Sequence, residues 1–266
     1  MTKIGFIGAG NMGTALAKAA RLAPDTELFI YDKDEEKAKA LALSLSGSFL
    51  SSGDIARTCD YIFLAVKPNI IPTAVKEIRD TLGKREGYTV VSMAAGVSIE
   101  SIEAAFGSVK APIIRIMPNT PAAIGKGMML RCNNALVSDT ALRDFDKIMS
   151  ASGRVDEIPE KLIDAASAVS GCGPAFVYMF IEALADGAVE CGLPRDKALL
   201  YACETLIGAA ETVKADGRHP EELKDAVCSP GGSTIAGVHA LEEGSFRATA
   251  ANAVISAYKK TLTLGK

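Results

Sequence analysis

The chain has 266 residues, 48% hydrophobic and 23% charged, the balance of a folded globular protein rather than a disordered one. That length supplies one large domain or two ordinary ones. A formal net charge of −3 leaves no basic surplus to neutralise nucleic-acid phosphates, which argues against a DNA or RNA partner.

The chain enters directly on Lys3–Gly8, a short apolar run broken by glycines that reads as a buried first strand and not as a signal peptide. Further β-rich runs at Glu27–Tyr31, Tyr61–Val66, Thr89–Met93 and Ile113–Met117 alternate with helical patterns at Met12–Ala23, Glu35–Ser44, Ile70–Leu82 and Ile99–Phe106. Strand and helix in alternation at this spacing predict βαβ units and a parallel, doubly wound α/β sheet with helices on both faces. A strand at Met128–Arg131 and a helix at Asp139–Ser152 close this domain, whose expected span is 1–159.

Strand signals stop near Glu160. Lys161–Val169, Ala175–Cys191, Pro194–Ala215, Pro220–Val227, Thr234–Leu241 and Phe246–Leu262 all read as helices, giving an all-α second domain over 160–266. Ala175–Cys191 and Pro194–Ala215 are apolar on more than one face, and such helices need burial. A domain of about a hundred residues has too little interior for both, so they are expected to pack against a second copy of the chain. No uninterrupted apolar stretch reads as long enough to span a bilayer, and no membrane partner is expected. The six cysteines (Cys59, Cys132, Cys172, Cys191, Cys203, Cys228) form no CxxC pair and no cluster with His. Most read as small buried side chains in a reducing cytoplasm, and no metal site is expected.

Gly8-Ala9-Gly10-Asn11-Met12-Gly13 matches GxGxxG, follows an apolar strand and opens a helix, the context a dinucleotide loop requires. Gly8 serves the tight turn, Gly10 lets backbone approach a pyrophosphate, and Gly13 lets helix and strand pack closely. The free N–H groups of the first helical turn face the phosphates. The second strand ends at Asp32-Lys33. An acidic residue there binds ribose hydroxyls and favours NAD, whereas Lys33 suits the 2′-phosphate of NADP, so the residues leave NADPH and NADH both open. Three further strand ends should line the crevice. They are Ala65-Val66-Lys67-Pro68, Ala94-Ala95-Gly96-Val97 and Met117-Pro118-Asn119-Thr120-Pro121. Pro68 drives Lys67 out of the α region, and paired prolines hold Asn119 and Thr120.

In the second half, Asp225-Ala226-Val227-Cys228-Ser229-Pro230-Gly231-Gly232-Ser233-Thr234-Ile235 ends one helix, turns through glycines and starts another with hydroxyls in its first turn. Unpaired N–H groups and the positive dipole end suit a carboxylate; an ordinary capped helix fits the same residues equally well. Ser170-Gly171-Cys172-Gly173-Pro174-Ala175 is a second small-residue stretch, suited equally to a flat ligand and to close packing. His219 in a Gly-Arg-His-Pro turn and His239 in mid-helix read as surface or packing residues, so no histidine acid is evident.

Residues Ile4–Gly13, Ala65–Pro68, Met117–Pro121, Ser170–Ala175 and Lys224–Thr234 together resemble, in order and across essentially the whole chain, the signatures of pyrroline-5-carboxylate reductases. The Asp-Ala-Val-Cys-Ser-Pro-Gly-Gly-Ser-Thr-Ile stretch carries most of that resemblance, because dinucleotide-binding proteins in general do not share it. The resemblance implies a Rossmann-type domain, a helical dimerisation domain, a substrate site built partly by the partner subunit, and reduction of 1-pyrroline-5-carboxylate to L-proline by NADPH or NADH. It implies that Thr234 hydrogen-bonds the imine nitrogen and that Ser229 with the Gly231, Gly232 and Ser233 backbone holds the carboxylate. Glu160 falls where the family can place a carboxylate near the substrate, and Ser52 at a cofactor-contact position where relatives often carry Asn. Asp32 is not the residue of a strictly NADP-dependent member. A β-hydroxyacid dehydrogenase has a similar plan but uses a lysine on the first long helix of its second domain, and Gly171–Arg195 contains none. A non-catalytic NAD(P)-binding sensor is the other alternative, since fold does not imply function.

Overall fold

The computed structural model describes residues 1–263; the last three residues of the expected second domain lie outside them. The chain divides into two compact units, Met1–Cys172 with the segment from Ala257, and Gly173–Ser256.

The first unit is built on β1 (Thr2–Ile7), β2 (Thr26–Tyr31), β3 (Ser48–Phe49), β4 (Tyr61–Leu64), β5 (Thr89–Ser92), β6 (Ile113–Met117), β7 (Gly127–Asn133) and β8 (Gly153–Glu157). They form one eight-stranded sheet in the order β3-β2-β1-β4-β5-β6-β7-β8. Only the β6–β7 pair is antiparallel among these neighbours. The order reverses at β1, with β2 on one side and β4 on the other, and a crevice opens at such a switch point.

Alternation along the strands sends side chains to two cores. Ile7, Ile62, Leu64, Val90 and Ile113 pack with Ile55 of α3 (Ser52–Thr58), Ile78 of α4 (Ile71–Leu82) and Ile102 of α5 (Ile99–Phe106). Ile4, Phe6, Phe63, Val91 and Ile114 pack with Leu16 of α1 (Asn11–Leu22) and Phe145 of α6 (Asp139–Met149). Phe6 stacks on Phe63 at 4.4 Å between ring centroids, and Phe63 on Phe145 at 6.2 Å. Each such side chain contributes about 1.5–3 kcal/mol by burial. α2 (Glu35–Ser44) completes the βαβ series and coincides with the sequence reading.

Three elements were not expected. β3 has two residues, too few for any periodicity. α3 has seven, although Ser51 caps it by accepting from Asp54 N. β8 reads Gly-Arg-Val-Asp-Glu, a polar run with no apolar alternation. The helix expected to reach Ser152 ends at Met149 and tightens into a 3-10 turn over Ser150–Ser152, before Gly153 at φ +128°.

α7 (Glu160–Ser170) packs with the sheet: Ile163 and Ala168 are fully buried, and Glu160 and Asp164 pair with Arg115 of β6. By packing, the compact units divide at Cys172–Gly173, so α7 belongs with the sheet although strand signals cease near 160.

The second unit contains α8 (Gly173–Glu190), α9 (Arg195–Asp216), α10 (Pro220–Ala226), α11 (Ser233–Glu243) and the start of α12 (Phe246–Thr261). α8 and α9 pack side by side, and Phe180 meets Phe246 at 5.4 Å. Within Gly173–Ser256 only Ala185, Ala198 and Ala202 are buried, while Val177, Tyr178, Met179, Leu200, Tyr201 and Ile207 are exposed. The run Glu160–Glu190, which covers α7 and α8, is long and apolar enough to cross a membrane by length and composition, a stretch the sequence reading did not pick out. Of the cysteines only Cys59 and Cys132 are buried, fewer than expected, because Cys191, in the turn after α8, and Cys203, on α9, lie in a unit with little interior; all six are unpaired. Burial pushes the Cys59 thiol up to about 12 and the Cys132 thiol to about 11.

Candidate functional site

A cleft of about 260 Å³ opens beyond the carboxyl ends of β1, β2 and β4. That lies below the roughly 300–1,000 Å³ of whole-ligand pockets, so it fits one part of a dinucleotide. Its floor is the glycine turn. Gly8 sits at φ +114°, and a Cβ there would overlap the Ala65 carbonyl. A Cβ on Gly13 would lie 2.6 Å from the Gly8 carbonyl oxygen, so only glycine lets α1 start this close to β1. At Gly10 the space is open: no protein atom lies within 4 Å of a Cβ position. Gly10 is also the N-cap of α1 and offers no side-chain cap, so the N–H groups of Asn11, Met12 and Gly13 remain for an anion. A bare, open helix start beside a crevice fits a pyrophosphate.

Asp32 and Lys33 both line the cleft, as does Lys37. The Asp32 carboxylate is fixed twice by backbone, Oδ2 accepting from Ala9 N at 2.6 Å and Oδ1 from Asp34 N at 3.1 Å. Ala65, Val66 and Lys67 form the opposite wall. Lys67 is extended (φ −62°, ψ 150°), as the following Pro68 requires, and Pro68 begins a 3-10 turn that delivers Ile70 to the cleft. Thr73, Ala74 and Glu77 continue that wall along α4. Sequence reasoning missed these three, Ile70 and Lys37. The i, i+3, i+4, i+7 spacing of Ile70, Thr73, Ala74 and Glu77 on the helix after the third long strand run was the available signal.

Several expected cofactor residues have other engagements. Ser52 does not line the cleft; its hydroxyl donates to Glu77 Oε2 at 3.1 Å and steadies a residue that does. Ala95 and Gly96 lie on the β5–α5 turn outside this lining, with Gly96 at φ +73°. Asn119 is buried and both ends of its amide are taken: Nδ2 donates to Ser170 O at 2.9 Å and Oδ1 accepts from Met128 N at 2.9 Å. The rigidity attributed to its flanking prolines is thus reinforced by its own side chain.

Glu160 is likewise engaged. Its Oε1 accepts from Ile99 N at 2.7 Å, at the start of α5, and from Arg115 at 3.0 Å; the same guanidinium donates to Asp164 at 2.8 Å. Arg115 is 3% exposed, and its Nε has no partner. Glu160 thereby ties α5, β6 and α7 together through Oε1 alone.

The glycine loop of the second unit leads into a helix start without a side-chain cap. Gly231 takes the left-handed φ of +69°, and a Cβ on Gly232 would overlap the Ser229 hydroxyl. Gly232 is the N-cap of α11 without any side-chain cap, so Ser233 does not satisfy its own helix. The hydroxyls of Ser229, Ser233 and Thr234 make no hydrogen bond among the described residues, and all three are exposed. His219 caps α10 by accepting from Glu221 N through Nδ1, and exposed His239 faces Glu243 at 3.4 Å.

A family model described as pyrroline-5-carboxylate reductase dimerisation matches residues 160–264, and one described as NADP oxidoreductase, coenzyme F420-dependent, matches residues 3–96. The pyrroline-5-carboxylate reductase of Arabidopsis thaliana is 39% identical over 99% of this chain and 96% of its own. That of Escherichia coli (strain K12) is 40% identical over 99% and 98%. Among solved structures, Plasmodium falciparum pyrroline carboxylate reductase with NADP bound superposes at TM-score 0.90, with 36% identity over 100% of this chain and 98% of that one. Prephenate dehydrogenase from A. aeolicus, at 15% identity and TM-score 0.54, shares the fold alone. Full-length identity near 40%, with the dimerisation model spanning the Ser-Pro-Gly-Gly loop, places the chain in the pyrroline-5-carboxylate reductase family.

Proposed function

We propose that this chain reduces 1-pyrroline-5-carboxylate to L-proline with NADPH or NADH, as a homodimer or larger assembly in a reducing cytoplasm. The observation that carries the reading is the start of α11: uncapped N–H groups, a left-handed Gly231 and three free hydroxyls, inside the segment that matches the dimerisation model. Such a helix start holds a carboxylate. Ser229 and the backbone of Gly231, Gly232 and Ser233 grip it, and Thr234 Oγ1 donates to the imine nitrogen.

The reduced cofactor supplies a hydride from its nicotinamide C4 to the C=N carbon, while the nitrogen takes up one proton. The glycine turn and the α1 start hold the pyrophosphate, and Asp32 meets the adenosine end. The donated Thr234 hydrogen bond draws electron density from the C=N carbon as the hydride arrives. The nitrogen takes its proton from solvent as the hydride adds to the carbon, and until then its lone pair accepts the hydrogen bond from Thr234 Oγ1. The unpaired cysteines accord with a reducing compartment.

The test is loss of absorbance at the reduced-nicotinamide band on adding 1-pyrroline-5-carboxylate, with proline identified as product. Cofactor binding without any oxidation would overturn the reading in favour of a sensor. Oxidation of a β-hydroxyacid instead would do so in favour of a dehydrogenase, although α8 carries no lysine for that chemistry.

A further inference from the structure

We infer that the adenosine end of the cleft selects NADH over NADPH, and that Asp32 is the residue that decides it. This deepens the reductase reading and rests on it. A 2′-phosphate is held in two ways at this position in βαβ folds: by cationic side chains, or by the free N–H groups of the helix that follows the second strand. The second route is opposed by charge. Asp34 caps α2 and its Oδ1 accepts from Lys37 N at 3.1 Å, so the helix start already has its anion. Glu35 and Glu36 follow in the same turn, adding negative charge where a phosphate would enter.

The first route is contested by Asp32. Its carboxylate is held in place by Ala9 N and Asp34 N, one bond to each oxygen. Each oxygen keeps a lone pair, which matches the two hydroxyls of an unphosphorylated ribose. A phosphate dianion in the same place would face an immobile carboxylate that cannot swing away without breaking both bonds. Lys33 and Lys37 line the cleft and form no ion pair with an acidic side chain among the described residues. Asp32 therefore masks a site that its neighbours are otherwise equipped to form, and neutralising it should reveal phosphate binding instead of merely weakening ribose binding.

The experiment is calorimetric titration of the full-length protein with the oxidised cofactors NAD+ and NADP+, which needs no turnover. Expected is at least tenfold tighter binding of NAD+ by the wild type. Asp32→Asn keeps an acceptor for Ala9 N and removes the charge; it should shift the affinity ratio toward NADP+ by at least tenfold. Adding Lys37→Ala to that variant should reverse part of the gain. Asp34→Ala, which frees the α2 start without touching Asp32, should also tighten NADP+ and stands in if the Asp32 variant does not fold. Wild-type protein that binds NADP+ as tightly as NAD+ overturns the proposal, as does an unchanged ratio in both variants. Failure of the reductase assay in protein that shows this selectivity would sink the reaction instead.

Discussion

Thr234 is the side chain on which the proposed chemistry most depends. It stands in the first turn of an uncapped helix, exposed, with a hydroxyl that bonds to no other described residue. Loss of one hydrogen bond made in the transition state costs about 1.4 kcal/mol or more, a factor of about ten in rate. Thr234→Ala should therefore lower kcat at least tenfold while leaving the melting temperature unchanged, and Thr234→Ser should recover most of the loss. Unaltered kinetics in the alanine variant would remove Thr234 from the mechanism. The glycine turn before α11 and its hydroxyl-bearing first turn were legible in sequence because residue type at fixed spacing sets them. The engagement of Asn119 and Glu160 was not, because it depends on Ser170, Met128, Ile99 and Arg115, partners between 9 and 61 positions away.

At the scale of elements, Arg115 of β6 pins α7 through Glu160 and Asp164, and Glu160 carries the tie on to the start of α5. Breaking a buried ion pair costs ~3–5 kcal/mol; these carboxylates are 32% and 25% exposed, so the lower end, about 3 kcal/mol, applies to Arg115→Met. Thermal unfolding should show it as a lower Tm, and a Tm within a degree of wild type would refute the pin. The second unit has its own clamp, Glu221 between Lys224 on α10 and Arg247 on α12. Hydrogen bonds from Lys224 and then Arg247 hold the Glu221 carboxyl down at about 2. A depressed folded-state value stabilises the fold above the ordinary carboxylate value of ~4.3, and that contribution is lost as pH falls towards 2. The Tm gap between wild type and Glu221→Gln should close over that window, and a constant gap would show the clamp to be idle. Long regular elements were readable from periodicity, with α2, α5 and β6 matching their expected limits. β3, α3 and β8 were too short or too polar to carry a period.

For the whole molecule, the decisive contrast is between two kinds of interior. The sheet-centred unit buries two continuous cores, whereas Gly173–Ser256 buries three alanines and exposes Val177, Met179, Leu200 and Tyr201 on its two longest helices. Composition already required this, since helices apolar on more than one face cannot be hidden in so short a segment. An exposed apolar surface of this extent marks an interface, and a stable one buries roughly 800 Å² per partner. A second copy is the occupant consistent with the match of residues 160–264 to a dimerisation model. Light scattering at micromolar concentration should accordingly return at least twice 27.8 kDa. A charge placed on the face, Met179→Glu with Leu200→Glu, should shift the mass towards one chain and leave NAD+ binding at the glycine turn intact, because those residues belong to the other unit. Reductase activity should fall with the dimer if the substrate site draws on both copies. A wild-type monomer would leave α8 and α9 without a partner and would require another surface to cover them.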